Sequence, residues 1–162
     1  MDLRTLRATD ETTVKTWLRP YLTQHLAWWA AAYAAAPRHT LGLLVDREWD
    51  DLLAASRAPG GFVGVTEDVR PLGVVYASLR EDRYLGIPVG VLSWLYVVAE
   101  ARGQGVSSVL MQAAEGWMTA QGAEGREVFV TSENTPALKL YRRFDYRVVD
   151  ARMLGPAPRQ GP

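Results

Sequence analysis

At 162 residues, with 48% apolar and 22% charged side chains, the chain has the length and balance of one compact folded domain. Eighteen basic and eighteen acidic residues cancel, so no overall field draws it to nucleic acid or a membrane, and an anionic ligand needs a local set of donors. The lack of cysteine excludes disulfides, zinc–thiolate sites and a thiol nucleophile; His25 and His39 stand without partners at ligand spacing, so no metal is expected.

The opening Met1-Asp2-Leu3-Arg4 carries no charged-then-apolar targeting pattern, and no apolar run reaches bilayer length, so a cytoplasmic protein is expected. Leu3 to Arg7 reads as a short first strand, with Thr9 and Asp10 as cap residues for a helix toward Trp17. Pro20 is expected to interrupt that helix. A second helix from Tyr21 to Ala36 sets Leu22, Leu26, Trp29 and Tyr33 on one apolar stripe, which makes Trp29 and Tyr33 core residues. Asp46 to Arg57 reads as a third, closed by Pro59-Gly60-Gly61.

The period then shortens. Phe62 to Thr66, Leu72 to Leu79 and Val89 to Val98 read as three strands joined by short turns, an antiparallel meander. A glycine turn leads into a long helix from Gly105 to Gln121, and Glu127 to Thr131 reads as a strand. Strand, helix and strand in this order form a right-handed parallel crossover. Thr135-Pro136 opens a last helix, and Tyr146 to Leu154 reads as a closing strand. The expected architecture is an α/β domain of the α+β type with a mixed sheet, residues 1–154, followed by a disordered tail, 155–162.

Chemistry concentrates where the third strand runs into the long helix. Between them lie Arg102-Gly103-Gln104-Gly105-Val106-Ser107, with no carboxylate from Gly103 to Gln112. A helix start leaves several backbone N–H groups unpaired and adds partial positive charge, and glycines allow a diphosphate to approach. The residues alone read equally as an anion cradle and as a tight turn with nothing bound. A damaged dinucleotide fingerprint is a further reading, but such a fingerprint opens a doubly wound parallel sheet, and here three antiparallel strands precede it.

This stretch resembles the (Arg/Gln)-x-x-Gly-x-(Gly/Ala) motif of the GNAT acetyltransferases, in its place between strand and helix. Asn134-Thr135-Pro136-Ala137-Leu138-Lys139-Leu140-Tyr141-Arg142-Arg143-Phe144-Asp145-Tyr146 resembles the family's Asn-x-x-Ala-x-x-x-Tyr-x-x-x-Gly-(Phe/Tyr). Two positions depart. Ser107 replaces Gly or Ala and is still small. Asp145 replaces a glycine that often adopts a left-handed conformation, which Asp tolerates better than most residues.

The resemblance implies a GNAT-like fold and acetyl-CoA as acyl donor. It implies that amides from Arg102 through Gly103, Gln104, Gly105 and Val106 to Ser107 hold the diphosphate. The backbone of Tyr96, Val97 and Val98 would pair with the pantetheine arm. Asn134 and Ala137 would lie beside the coenzyme, and Lys139 and Arg142, with Arg143, would screen its 3′-phosphate. Tyr141 would protonate the departing thiolate. The bland alternatives are a cap for Asn134, a core tyrosine for Tyr141 and a solvated helix end for the cations. No carboxylate lies on Val89 to Val98, so the base falls to Glu81 or Asp82, or to Ser93 ordering a water. The expected activity is acetyl transfer to a primary amine of a small molecule or peptide. A non-catalytic acyl-CoA-binding module is the alternative. The aromatic N-terminal half, Trp17, Tyr21, Trp28, Trp29, Tyr33 and Trp49, would line an acceptor pocket or support a homodimer.

Overall fold

The computed structural model describes residues 2–67 and 70–158. Five strands lie in sequence order across one sheet: β1 (Asp2–Thr5), β2 (Gly61–Glu67), β3 (Pro71–Glu81), β4 (Pro88–Val97) and β5 (Gly125–Val128). The first four pair antiparallel and β4 pairs parallel with β5. The expected mixed sheet, meander and crossover are therefore present, with α3 (Val106–Ala120) as the crossover helix.

Alternation of side chains assigns the helices to opposite faces. A Cβ at Gly73 would meet Leu110 of α3, and one at Gly90 would meet Met118. Trp94 and Tyr96 point the other way, toward α1 (Glu11–Tyr33), where Tyr96 stacks on Trp17 with centroids 5.7 Å apart. The first helix also packs against α2 (Leu41–Ala55). Thr40 caps α2 by accepting the Leu43 amide, so this helix starts five residues before the expected Asp46. The last helix, α4 (Thr135–Arg143), buries Leu140 and Tyr141.

Pro20 does not interrupt the first helix, which runs unbroken from Glu11 to Tyr33. A proline inside a helix costs about 3 kcal/mol. Burial of Trp17, Leu18 and Leu22 around it returns about 1.5–3 kcal/mol each, and that sum prevails. The buried stripe of α1 is Val14, Leu18, Leu22 and His25. Trp29 and Tyr33 are instead 44% and 41% exposed, because the stripe turns away from the core beyond His25. Buried His25 donates from Nδ1 to the Tyr21 carbonyl oxygen at 2.9 Å and stacks on the Tyr21 ring.

Two strand expectations change. The segment from Glu127 to Thr131 pairs only as far as Val128, and β5 begins at Gly125. Tyr146 to Leu154 forms no strand, and Val148, Val149 and Met153 are exposed. Val148 and Val149 are adjacent and flanked by Arg147 and Asp150, so the segment lacks the alternation that would seat one face on the core. Gly155–Pro158 also form no element, and the rest of the expected tail, residues 159–162, lies outside the described residues. Among the described residues no helix is long and apolar enough to cross a membrane.

Candidate active site

The site begins with one extra residue in β4. Tyr76 pairs with Trp94 while the next residue of β3, Ala77, pairs with Leu92, so Ser93 bulges out of the ladder. On its other side β4 pairs with β5 only from Val89 to Leu92. A bulge bends its strand, and here pairing with β5 stops at the residue before it. From Ser93 to Val97, β4 therefore keeps β3 on one side and has an open edge on the other.

Hydrogen bonding tells which peptide groups face that edge. The Val98 amide donates to the Leu72 carbonyl at 3.0 Å, so it is committed to β3. Alternation turns the peptide groups of Val97 outward, and the Val97 carbonyl accepts from Arg102 Nε at 3.2 Å. Of the three backbone residues named for the pantetheine arm, Val97 faces the edge and Val98 faces away. The Tyr96 ring is held between Trp17 and the Arg102 guanidinium, whose Cζ lies 5.9 Å from the ring centroid.

The loop after β4 has the geometry of an anion cradle. Gly103 and Gly105 adopt φ of 77° and 84°, a region costly to residues with a Cβ. A Cβ at either would meet nothing within 4 Å, so both glycines face open space. The amides of Arg102, Gln104 and Ser108 bond to carbonyls of the same turn. Those of Gly103, Gly105, Val106 and Ser107 have no acceptor among the described residues. Four free N–H groups around a helix start, with no acid in the first turn of α3, fit a diphosphate. Gln104 turns its side chain back to the Glu100 carbonyl.

Tyr141 is 9% exposed, beside Tyr146 at 5.9 Å between centroids. Burial pushes its pKa up, and nearby Tyr21 and Tyr146 push it further; the phenol keeps its proton at any neutral pH. Among the described residues the buried phenol hydroxyl without a hydrogen-bond partner is that of neighbouring Tyr146. Asn134 caps α4, its Oδ1 accepting from the Ala137 amide at 3.4 Å. Lys139 and Arg142 are exposed on that helix.

The three base candidates separate. Ser93 is the exposed bulge residue itself. Glu81 pairs with Pro88 at the far end of β4, and five residues of strand put it roughly 16 Å from the bulge. Asp82, next to it, accepts the Leu85 and Tyr84 amides in a turn, and these bonds hold its carboxyl below the usual range.

A carboxylate that sequence reasoning missed does lie at the bulge. Glu48 on α2 is half-buried and its Oε2 accepts from Trp94 Nε1 at 3.1 Å. Burial pushes its pKa up, the Trp94 bond pulls it down, and Asp51 adds a further upward push. Its charge also acts on Tyr21, where burial foremost and Glu48 second raise the phenol to about 12. Tyr21 sits against Trp94, centroids 4.2 Å apart, and is felt by Tyr141. On the sequence Glu48 is one acid among Asp46, Asp50 and Asp51 of a helix, and only tertiary packing distinguishes it.

The Acetyltransferase (GNAT) family model matches residues 11–146. The chain belongs to the GNAT acetyltransferase family. Solved structures agree on the fold. A transcriptional regulator from Bacillus halodurans superposes with a TM-score of 0.72 at 13% identity, over 94% of this chain and 96% of that one. The aminoglycoside antibiotic 6'-N-acetyltransferase AAC(6')-IG from Acinetobacter haemolyticus gives 0.66 at 18% identity, over 94% and 95%. AAC(6')-Iy, in complex with a coenzyme A bisubstrate analogue, gives 0.63 at 21% identity, over 93% and 96%. No curated protein matches the chain in sequence.

Proposed function

We propose that this GNAT chain is an acetyl-CoA-dependent N-acetyltransferase acting on a primary amine of a small molecule, with residues 1–154 as one catalytic domain. The observation that carries the reading is the pairing of a four-amide cradle with an open β4 edge. The free amides of Gly103, Gly105, Val106 and Ser107 would take the diphosphate, with Arg102 and Gln104 completing the loop. The Val97 peptide groups would take the pantetheine arm, with Tyr96 and Val98 holding the strand. Asn134, Ala137, Lys139 and Arg142 on α4 would flank the coenzyme. The structurally similar aminoglycoside 6'-N-acetyltransferases favour a small-molecule acceptor over a peptide.

In this reading the acceptor nitrogen attacks the thioester carbonyl, and the thiolate takes its proton from Tyr141. A raised phenol pKa suits a donor that must remain protonated until sulfur leaves. Thiol release from acetyl-CoA in the presence of a panel of primary amines tests it. Amine-dependent release supports transfer; binding of acetyl-CoA without release from any amine supports the second reading, a non-catalytic acyl-CoA-binding module. Two observations favour that second reading: β4 carries no carboxylate, and one structural neighbour is a transcriptional regulator.

A further inference from the structure

Beside the β4 bulge, between α2 and the face of the sheet that carries α1, lies a cleft of about 480 Å³. Glu48, Asp51 and Leu52 line it from α2, Tyr76 from β3, and Ser93 and Trp94 from β4. Among the described residues no lysine or arginine lines it. Its lining sets two carboxylates and two aromatic rings beside an apolar wall of Leu52 and three alanines of the α2 end, and its β4 wall is the point where the open edge begins. A cavity of this size holds a small molecule rather than a water cluster. Its negative groups and ring faces both favour a cation.

Glu48 is placed to do more than attract. Trp94 occupies one lone pair of Oε2, and a carboxylate offers several more. Glu48 shares the cleft with Ser93, where the open edge of β4 begins, so an amine held at Glu48 lies beside that edge. The groups facing Glu48 are Asp51 from its own helix and Tyr21 from α1; β3 and β4 bring Tyr76 and Trp94, neither of them charged.

We propose that this cleft is the acceptor site for a cationic amine, and that Glu48 is the general base which β4 lacks. The proposal rests on the acetyltransferase reading above. The acceptor ammonium docks on Glu48, and Asp51 at the rim meets a second positive group. Glu48 takes one ammonium proton, which frees the nitrogen lone pair. That nitrogen bonds to the thioester carbonyl carbon, the C–S bond breaks with its electron pair on sulfur, and sulfur takes the Tyr141 proton. A second nitrogen proton, lost as the amide forms, returns through water to the Tyr141 phenolate, and Glu48 passes its proton to solvent. Ammonium and thioester become amide, thiol and one free proton.

The test uses the full chain, acetyl-CoA, and three probe amines: spermidine, neamine and tryptamine. Glu48→Gln keeps an oxygen for the Trp94 N–H, so calorimetric affinity for acetyl-CoA should match that of the unchanged protein and certify its fold. Thiol release with at least one probe should fall about 100-fold or more in kcat/KM, and the acidic limb of its pH profile should vanish. Glu48→Asp should restore part of the rate. Asp51→Asn should raise KM for spermidine with kcat little changed. Turnover by Glu48→Gln within about threefold of the unchanged protein, with the acidic limb intact, overturns the base assignment and leaves the transferase standing. Acetyl-CoA binding with no probe acetylated overturns the cationic acceptor. Failure to bind acetyl-CoA removes the transferase reading, and this proposal with it.

Discussion

The indole N–H of Trp94 donates to the Glu48 carboxylate across 3.1 Å, tying β4 to α2 one residue past the bulge. The bond stabilises the charged form of a half-buried acid and so opposes the upward push of burial. Trp94→Phe removes the donor and leaves the burial. The Glu48 pKa should rise further, and the acidic limb of the kcat/KM profile should move to higher pH. A pH–rate series on the variant reads this directly; an unmoved limb would assign it to another group.

Tyr141→Phe should lower kcat by about 100-fold or more, the usual worth of a positioned proton donor. Acetyl-CoA affinity should hold, since the phenol is assigned to the leaving sulfur. Stability should change little, because phenylalanine keeps the buried ring. Steady-state kinetics beside a thermal melt separates these effects, and a purely structural tyrosine would show the reverse pattern.

Gly105→Ala and Gly116→Ala should act with opposite signs. Gly105 holds φ of 84° before α3, where a Cβ costs about 1–2 kcal/mol and the cradle distorts. Gly116 lies inside α3 with nothing within 4 Å of an added Cβ, and alanine there should add about 0.5–1 kcal/mol. Urea midpoints should fall for the first and rise for the second, and only the first should weaken acetyl-CoA.

Asp10, 5% exposed, anchors the N-terminus: Arg4 donates to both its oxygens at 2.8 Å and the Arg7 amide to one of them. Burial pushes its pKa up, but the Arg4 bonds, the Arg7 amide and both guanidinium charges outweigh it and hold the carboxyl below 3.8. Because the folded value is depressed, the stability it contributes is complete above the unfolded value and is lost as pH falls through the folded one. Asp10→Asn should cost about 3 kcal/mol by removing a buried carboxylate that accepts two Arg4 bonds and the Arg7 amide. The loss should be largest at neutral pH and shrink below pH 4, which denaturation at two pH values checks.

The cradle was legible because its geometry is local. A strand, two glycines and an acid-free helix start define it within a dozen residues, and Asp145 likewise adopts the left-handed φ of 63° expected of the residue in the glycine position. What depends on distant packing was not legible. Pro20 reads as a break until the burial around it is known. Trp29 and Tyr33 fit an apolar stripe whose outer end meets no core. Tyr146 to Leu154 has strand-like composition but no partner on the sheet. Glu48 becomes distinctive only when α2 folds against Trp94, 46 residues further along the chain.

Calorimetric titration with acetyl-CoA, using NADH as the comparison ligand, tests the central claim most directly. Saturable one-site binding of acetyl-CoA, with none of NADH, is the predicted result. A folded protein that leaves acetyl-CoA unbound would contradict the cradle assigned to Gly103–Ser107 and the acetyltransferase reading built on it.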